Sequence, residues 1–176
     1  MQYPRLIERN TKNLIKKFAF ILDQLDSIKI DKDSSFAMML EAASRGHQLF
    51  VIQQGDLAWK NGEVVGVSCV LKLTGQTDIG SNWYKNMGTD ELSLQEYDVV
   101  LMRKDPPFDT EYIYSTYLLE LAEKQGVCVI NSPQGIRDHN EKFSIAKFPQ
   151  FIAPTLITRQ DYLIREFISE HSDIVL

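Results

Sequence analysis

The sequence predicts an α/β fold built on a parallel sheet. Three continuously apolar runs, Phe18-Ala19-Phe20-Ile21-Leu22, Val99-Val100-Leu101-Met102 and Val127-Cys128-Val129-Ile130, have the character of strands buried on both faces. Helical patterns follow the first two, at about 35–45 and 110–125, so strands and helices alternate. Gly46 and Gly126 stand where each helix should stop.

Residues 1–15 read as a polar leader ahead of the first strand. Asp23 follows that strand at once, and a polar loop runs to Asp33. Asp33 or Ser34 can cap the first helix, whose apolar positions Phe36, Met39, Leu40 and Ala43 share one face. Leu49–Ile52 is the next strand. Residues 57–73 read as a hairpin turning at Asn61-Gly62. Residues 74–94 have three glycines and no clear period, and read as a long surface loop. Within it Trp83 and Tyr84 can anchor the loop or stack on a ligand, and anchoring is the simpler role. In the second helix Ile113, Tyr117, Leu118 and Leu121 are expected to face inward. Asn131-Ser132-Pro133 closes the third strand and starts helical signal that reaches about Lys147. A short strand is expected at Thr155-Leu156-Ile157. Thr158 and Asp161 resemble a capping box for a last helix over about 159–170.

The chain has 176 residues, 44% hydrophobic and 24% charged, which fits one domain, or one domain plus a piece of another. A net charge of -5 with no Lys/Arg-rich block argues against nucleic acid as a partner. No apolar run approaches the ~20 residues of a membrane helix, and no secretory leader is apparent before Lys17. Cys69 and Cys128 form no Cys-x-x-Cys pair, and His47, His139 and His171 have no metal-ligand spacing. A reducing, cytoplasmic setting is the simplest expectation. There is no Gly-x-Gly-x-x-Gly after a strand, no phosphate-binding Gly-x-x-x-x-Gly-Lys, since Gly80 is followed by Ser81-Asn82, and no Gly-x-Ser-x-Gly.

Ligands of parallel sheets sit at the carboxyl ends of the strands. Three loops therefore matter: 23–34, 103–109 and 131–142. The second gathers Arg103, Lys104, Asp105 and Asp109 around Pro106-Pro107, which stiffen it. Such a loop suits a zwitterion, with Arg103 clamping a carboxylate and Asp105 an ammonium. It is equally an ordinary strand-to-helix connection with solvated charges. Asp33-Ser34-Ser35 offers a helix start with two hydroxyls, which can receive an anion or simply be a cap. Lys142, in a segment dense in polar groups, can meet a phosphate or belong to a solvated helix face. His139 alone is weak evidence for a catalytic base.

Lys32-Asp33-Ser34-Ser35-Phe36-Ala37-Met38, Leu101-Met102-Arg103-Lys104-Asp105-Pro106-Pro107-Phe108-Asp109-Thr110-Glu111, Arg137-Asp138-x-Asn140-Glu141-Lys142 and Ser172–Leu176 resemble the bacterial type of glutathione synthetase. The resemblance runs from about 16 to 176, with large gaps only within 53–95. It implies an ATP-grasp ligase that joins γ-glutamylcysteine to glycine with ATP and magnesium, through an acyl phosphate. It implies a Rossmann-like pre-ATP-grasp domain at 16–140 and the start of an ATP-grasp domain at 141–176, with 1–15 an N-terminal extension. It puts Arg103, Asp105 and Ser34 on the substrate side and Lys142 at the nucleotide.

The family continues beyond the position of Leu176 with a second nucleotide lysine, a glycine-rich phosphate lid and acidic magnesium ligands. None is in this sequence, so a truncated chain, inactive alone and completed by a C-terminal half, is expected. The alternative is a free-standing Rossmann-like module that binds substrate or a partner without catalysis.

Overall fold

The computed structural model describes residues 14–78, 80, 82–140, 142–171 and 173–175. The extension expected at 1–15 lies outside the described residues except for Leu14 and Ile15, both exposed. Glu141, Ser172 and Leu176 of the resembling motifs lie outside them too. The chain divides into two compact units, 1–138 and 139–176.

The first unit is a six-stranded sheet. In chain order it contains β1 (Lys17–Leu22), α1 (Ser34–Ser44), β2 (Gln48–Lys60), β3 (Glu63–Leu73), β4 (Tyr84–Ser93), β5 (Val99–Met102), α2 (Thr110–Lys124), β6 (Val129–Ile130) and α3 (Pro133–Asp138). The spatial order is β4-β3-β2-β1-β5-β6. Strands β2, β1, β5 and β6 are parallel, while β3 and β4 add an antiparallel extension. The α/β architecture is as expected, but the sheet is mixed rather than wholly parallel. A two-residue turn can only reverse the chain, and Asn61 (φ 52°) and Gly62 (φ 89°) supply the left-handed pair that such a turn needs.

β1 lies at the centre and divides its side chains between two cores by the two-residue period of a strand. Ala19 and Ile21 join Phe50, Ile52, Val100, Met102 and Leu119. Phe20 and Leu22 join Phe36, Met39, Leu49, Val51 and Leu101. One core belongs to α2, the other to α1.

Four elements depart from expectation. The third apolar run, expected to be a strand buried on both faces over Val127–Ile130, is a strand only at Val129–Ile130, and at the sheet edge it leaves Cys128 and Ile130 exposed. The stretch read as a surface loop contains β4, paired with β3 from Val65↔Ser93 to Leu73↔Tyr84. β4 has almost no apolar alternation, because it is an edge strand with both faces largely exposed. Its Lys85, Asp90 and Glu91, with Gly88 and an irregular register near Val70, also discourage further strands from adding to that edge. Trp83 anchors the segment: buried, its ring meets that of Phe36 edge-on at 5.1 Å. The inner face of α2 is Tyr112, Ser115, Thr116, Leu119 and Ala122, one residue round from the expected stripe. Tyr117 and Leu121 are exposed instead. Ser115 and Thr116 can face the sheet because their hydroxyls donate to Glu111 and Ile113 carbonyls of their own helix, at 2.9 and 2.6 Å. Finally, residues 155–157 form no strand, and α4 (Asp161–Glu170) begins without a side-chain cap, Thr158 Oγ1 accepting instead from Gln160 N.

At the amino end of the sheet Asp98 accepts from Lys16 Nζ at 2.6 Å and from the Lys17 amide at 2.8 Å. The Lys16 hydrogen bond first, then the Lys17 amide, holds the Asp98 carboxyl below its usual value. A carboxyl depressed in the folded state binds protons more readily when unfolded. Its stabilisation is complete above the ordinary aspartate range and is lost as pH falls through the folded value. Thermal melts of Asp98→Asn should therefore show a smaller drop in Tm than wild type below about pH 4. Parallel acid limbs would remove this role.

Candidate functional site

β1 leads through α1 to β2 on one side, while β5 leads through α2 to β6 on the other. The strand order therefore reverses between β1 and β5, and a crevice is expected outside their carboxyl ends. The first residues past those ends are Asp23 and Arg103. Arg103 N donates to Ile21 O at 2.9 Å, which carries the β1–β5 ladder to the start of the loop.

Arg103 then turns towards the start of α1. Its Nε donates to Ser35 Oγ at 3.0 Å and its Nη2 to Ser34 Oγ at 2.6 Å. Two serines adjacent on a helix thus hold one edge of the guanidinium. Three of its five N–H groups remain for a ligand. Asp33 is the cap of α1, its Oδ1 accepting from the Ser35 and Phe36 amides at 2.7 and 2.9 Å. Those amides are therefore committed to the cap, and the helix start serves the site through its hydroxyls rather than as an anion nest.

Asp23 fixes the rest of the loop. Its Oδ1 lies 2.8 Å from Lys104 Nζ and its Oδ2 accepts from the Asp105 amide at 3.1 Å. Lys104 also donates to the Asp105 carbonyl at 2.6 Å, and its side chain is only 16% exposed. The lysine is thus turned inward as a brace, while Asp105 stays exposed. Beyond it the Pro106–Pro107 peptide is cis, and Asp109 caps α2 by accepting from the Tyr112 amide at 2.9 Å. Tyr112 lies beneath the loop, its ring 5.2 Å from that of Phe108. Burial pushes its phenol up; Arg103 opposes the shift and Asp105 adds to it, so the phenol feels both charges.

The family resemblance put Ser34, Arg103 and Asp105 on the substrate side, and the structure brings Ser34 and Arg103 into direct contact. Sequence reasoning did not find the parts played by Asp23, Ser35 and Tyr112. The available signal for Asp23 was an acid immediately after a doubly buried strand. Asp23→Ala should free the Asp105 amide, accelerating its hydrogen exchange, and cost about 1 kcal/mol of stability for an ion pair that is partly exposed. Unchanged exchange at Asp105 would show that the loop stands without it.

The loop after β6 is used differently. Arg137 on α3 donates to Thr116 Oγ1 at 3.1 Å, pairs with Glu120 and lies 4.8 Å over the Tyr117 ring. Lys124 first, then Arg137, keeps the Glu120 carboxyl below its usual value. Arg137 therefore secures α3 to α2. In the second unit Asn140 Oδ1 accepts from the Lys142 and Phe143 amides at 3.1 and 3.0 Å, leaving the Lys142 side chain exposed. His139 Nδ1 lies 3.3 Å from Lys147 Nζ.

The magnesium implied by the resemblance finds no ligand set here: among the described residues no three His, Cys, Asp or Glu side chains gather as a metal group. Nor is any helix among them long and apolar enough to cross a membrane.

Residues 16–137 match the family described as prokaryotic glutathione synthetase, N-terminal domain. The glutathione synthetase of Nitrosomonas europaea is 61% identical over 160 residues, covering 91% of this chain and 50% of the relative. That of Ralstonia nicotianae is 48% identical over 159 residues, 90% of this chain and 48% of the relative. That of Buchnera aphidicola is 42% identical over 166 residues, 94% and 51%. The chain spans about half the length of these curated relatives. With a match over most of its length, the chain belongs to the prokaryotic glutathione synthetase family, through that family's N-terminal domain.

Proposed function

We propose that this chain is the substrate-side portion of a glutathione synthetase, and that its β1–β5 crevice holds γ-glutamylcysteine for ligation to glycine. The observation that carries the reading is the braced Arg103, held by Ser34 and Ser35 with donors to spare, beside an exposed Asp105. γ-Glutamylcysteine carries carboxylates and an ammonium, and these two charges match it. Arg103 binds a carboxylate bidentately, Asp105 takes the ammonium, and Ser34 orients the guanidinium and can add its own hydroxyl. Prior bracing lowers the ordering cost of binding, which is how a positioning site contributes to catalysis.

Lys142 is assigned to the nucleotide as a point charge. Phosphoryl chemistry with ATP and magnesium is assigned to the half of the relatives that this chain does not match, since the described residues supply no metal group. The chain alone is expected to bind the dipeptide without turnover. Calorimetry with γ-glutamylcysteine tests the site, and absence of heat at millimolar ligand counts against it. ADP release with both substrates, ATP and magnesium tests the division of labour, which turnover by the purified chain would refute.

A second reading, a free-standing binding module, is favoured by one feature: the first unit holds two buried cores of its own. It predicts the same heat of binding, and no ligase activity when the second half is supplied.

A further inference from the structure

The side chains that brace the 103–105 loop come from the two ends of one stretch of chain. Asp23 holds Lys104 and the Asp105 amide, while Ser34 and Ser35 hold Arg103. The residues between them, 24–33, decide whether those ends stay in place. This connection has little structure of its own. It makes one 3-10 turn at Leu25–Ser27 and a second turn in which the Lys32 and Asp33 amides donate to Lys29 O at 3.0 and 2.9 Å. Connections held by so few backbone bonds open most readily in a fold.

One hydrogen bond from the middle of the stretch reaches β4. Tyr84, the first residue of that strand, donates from Oη to Asp26 Oδ1 at 2.8 Å, across 58 positions of chain. This bond, more than burial, holds the phenol above its ordinary value, so the group stays a donor. Beside it Trp83 is buried, its ring 4.7 Å from that of Tyr84 and 5.1 Å from that of Phe36, the residue after Ser35. Half-buried Leu25, Ile28 and Ile30 pack on the same core. Trp83 is itself fixed, because Thr74 N donates to its carbonyl at 3.0 Å and Thr74 Oγ1 to that of Asn82 at 2.9 Å. The antiparallel extension thus brings a firm aromatic pair against the least structured part of the site's support. We propose that Tyr84 is a positioning residue of the substrate site: through Asp26 it latches the 24–33 stretch and keeps Asp23, Ser34 and Ser35 set for the loop that carries Arg103. The inference rests on the functional reading above and adds a residue to its site. A site set in advance binds at lower ordering cost, so the latch is read in affinity.

Tyr84→Phe is the informative change, because it keeps the packed ring and removes only the latching oxygen. It should weaken γ-glutamylcysteine binding by calorimetry, and speed exchange of the Arg103 Nε–H by NMR, each about 3-fold, as for one exposed hydrogen bond. The melting temperature should hardly move. Asp26→Ala should match it, whereas Asp26→Asn keeps an oxygen acceptor and should restore wild-type values. Tyr84→Phe combined with Asp26→Ala should be no worse than either alone, the signature of two groups acting as one pair. Where the wild type binds the dipeptide, unchanged affinity in Tyr84→Phe overturns the inference, and so do additive losses in the double variant. Faster Nε–H exchange in Tyr84→Phe, with no heat of dipeptide binding from the wild type, keeps the latch and removes the substrate reading. Unchanged exchange with equal binding by both proteins does the reverse.

Discussion

Arg103→Ala is expected to weaken γ-glutamylcysteine binding about 100-fold, with little change in melting temperature. The magnitude follows from removing one partner of a charge-assisted pair, which costs roughly 2–5 kcal/mol when the other charge is left without a partner. Stability is spared because the guanidinium lies past the strand end, bonded to two serine hydroxyls rather than packed in either core. Arg103→Lys should recover only a small part of the loss. An ammonium can reach one serine or a carboxylate, but it cannot hold two hydroxyls with one edge and present a flat fork with another. Ser34→Ala and Ser35→Ala each remove one brace and should cost about 5-fold, in line with one hydrogen bond apiece. Calorimetric titration of the four variants checks the series. An alanine variant that binds as tightly as wild type would show that the dipeptide lies elsewhere.

The parts of this molecule that were legible in its sequence are those governed by local chemistry. Asp33 as the cap of α1, Asn61-Gly62 as the hairpin turn and the doubly buried runs of β1 and β5 depend on residues adjacent in the chain. The parts that were not legible depend on partners far along it. β4 is polar on both faces and becomes a strand only because β3 offers it a ladder. The α2 face was mistaken by one position because large residues were preferred over Ser115 and Thr116, whose hydroxyls their own helix satisfies. The strand expected at 155–157 has apolar residues of the right kind but no neighbouring strand to join among the described residues. At the candidate site the loop's charges were visible, and Arg103 and Asp105 could be proposed from their types. Asp23, 82 positions from Asp105, becomes a brace only when β1 and β5 lie side by side.

Phe20→Ala should be the most destabilising single change in the first unit. Phe20 is 1% exposed at the centre of β1, packed in the core that also holds Phe36, Met39, Leu49, Val51 and Leu101. Those neighbours come from α1, β2 and β5, so no single element can shift to fill the space. The void should cost about 3–5 kcal/mol, the usual range for Phe→Ala in a core that relaxes incompletely. For a unit of this size that is a fall of roughly 15 °C in Tm. Phe20→Leu retains most of the volume and should cost only about 1 kcal/mol. The site adds a second readout, because Phe20 and Leu22 point to the α1 side while Ala19 and Ile21 point to the α2 side. A void beneath α1 loosens the helix whose first two residues brace Arg103. Phe20→Ala should therefore weaken γ-glutamylcysteine binding even where the protein remains folded. Ala122→Gly, thinning the opposite core at the end of α2 away from the loop, should lower stability with affinity unchanged. Denaturant titrations paired with calorimetry at a temperature where all three variants are folded separate the two effects. Equal losses of affinity from both sides of the sheet would mean that α1 does not hold the arginine in place.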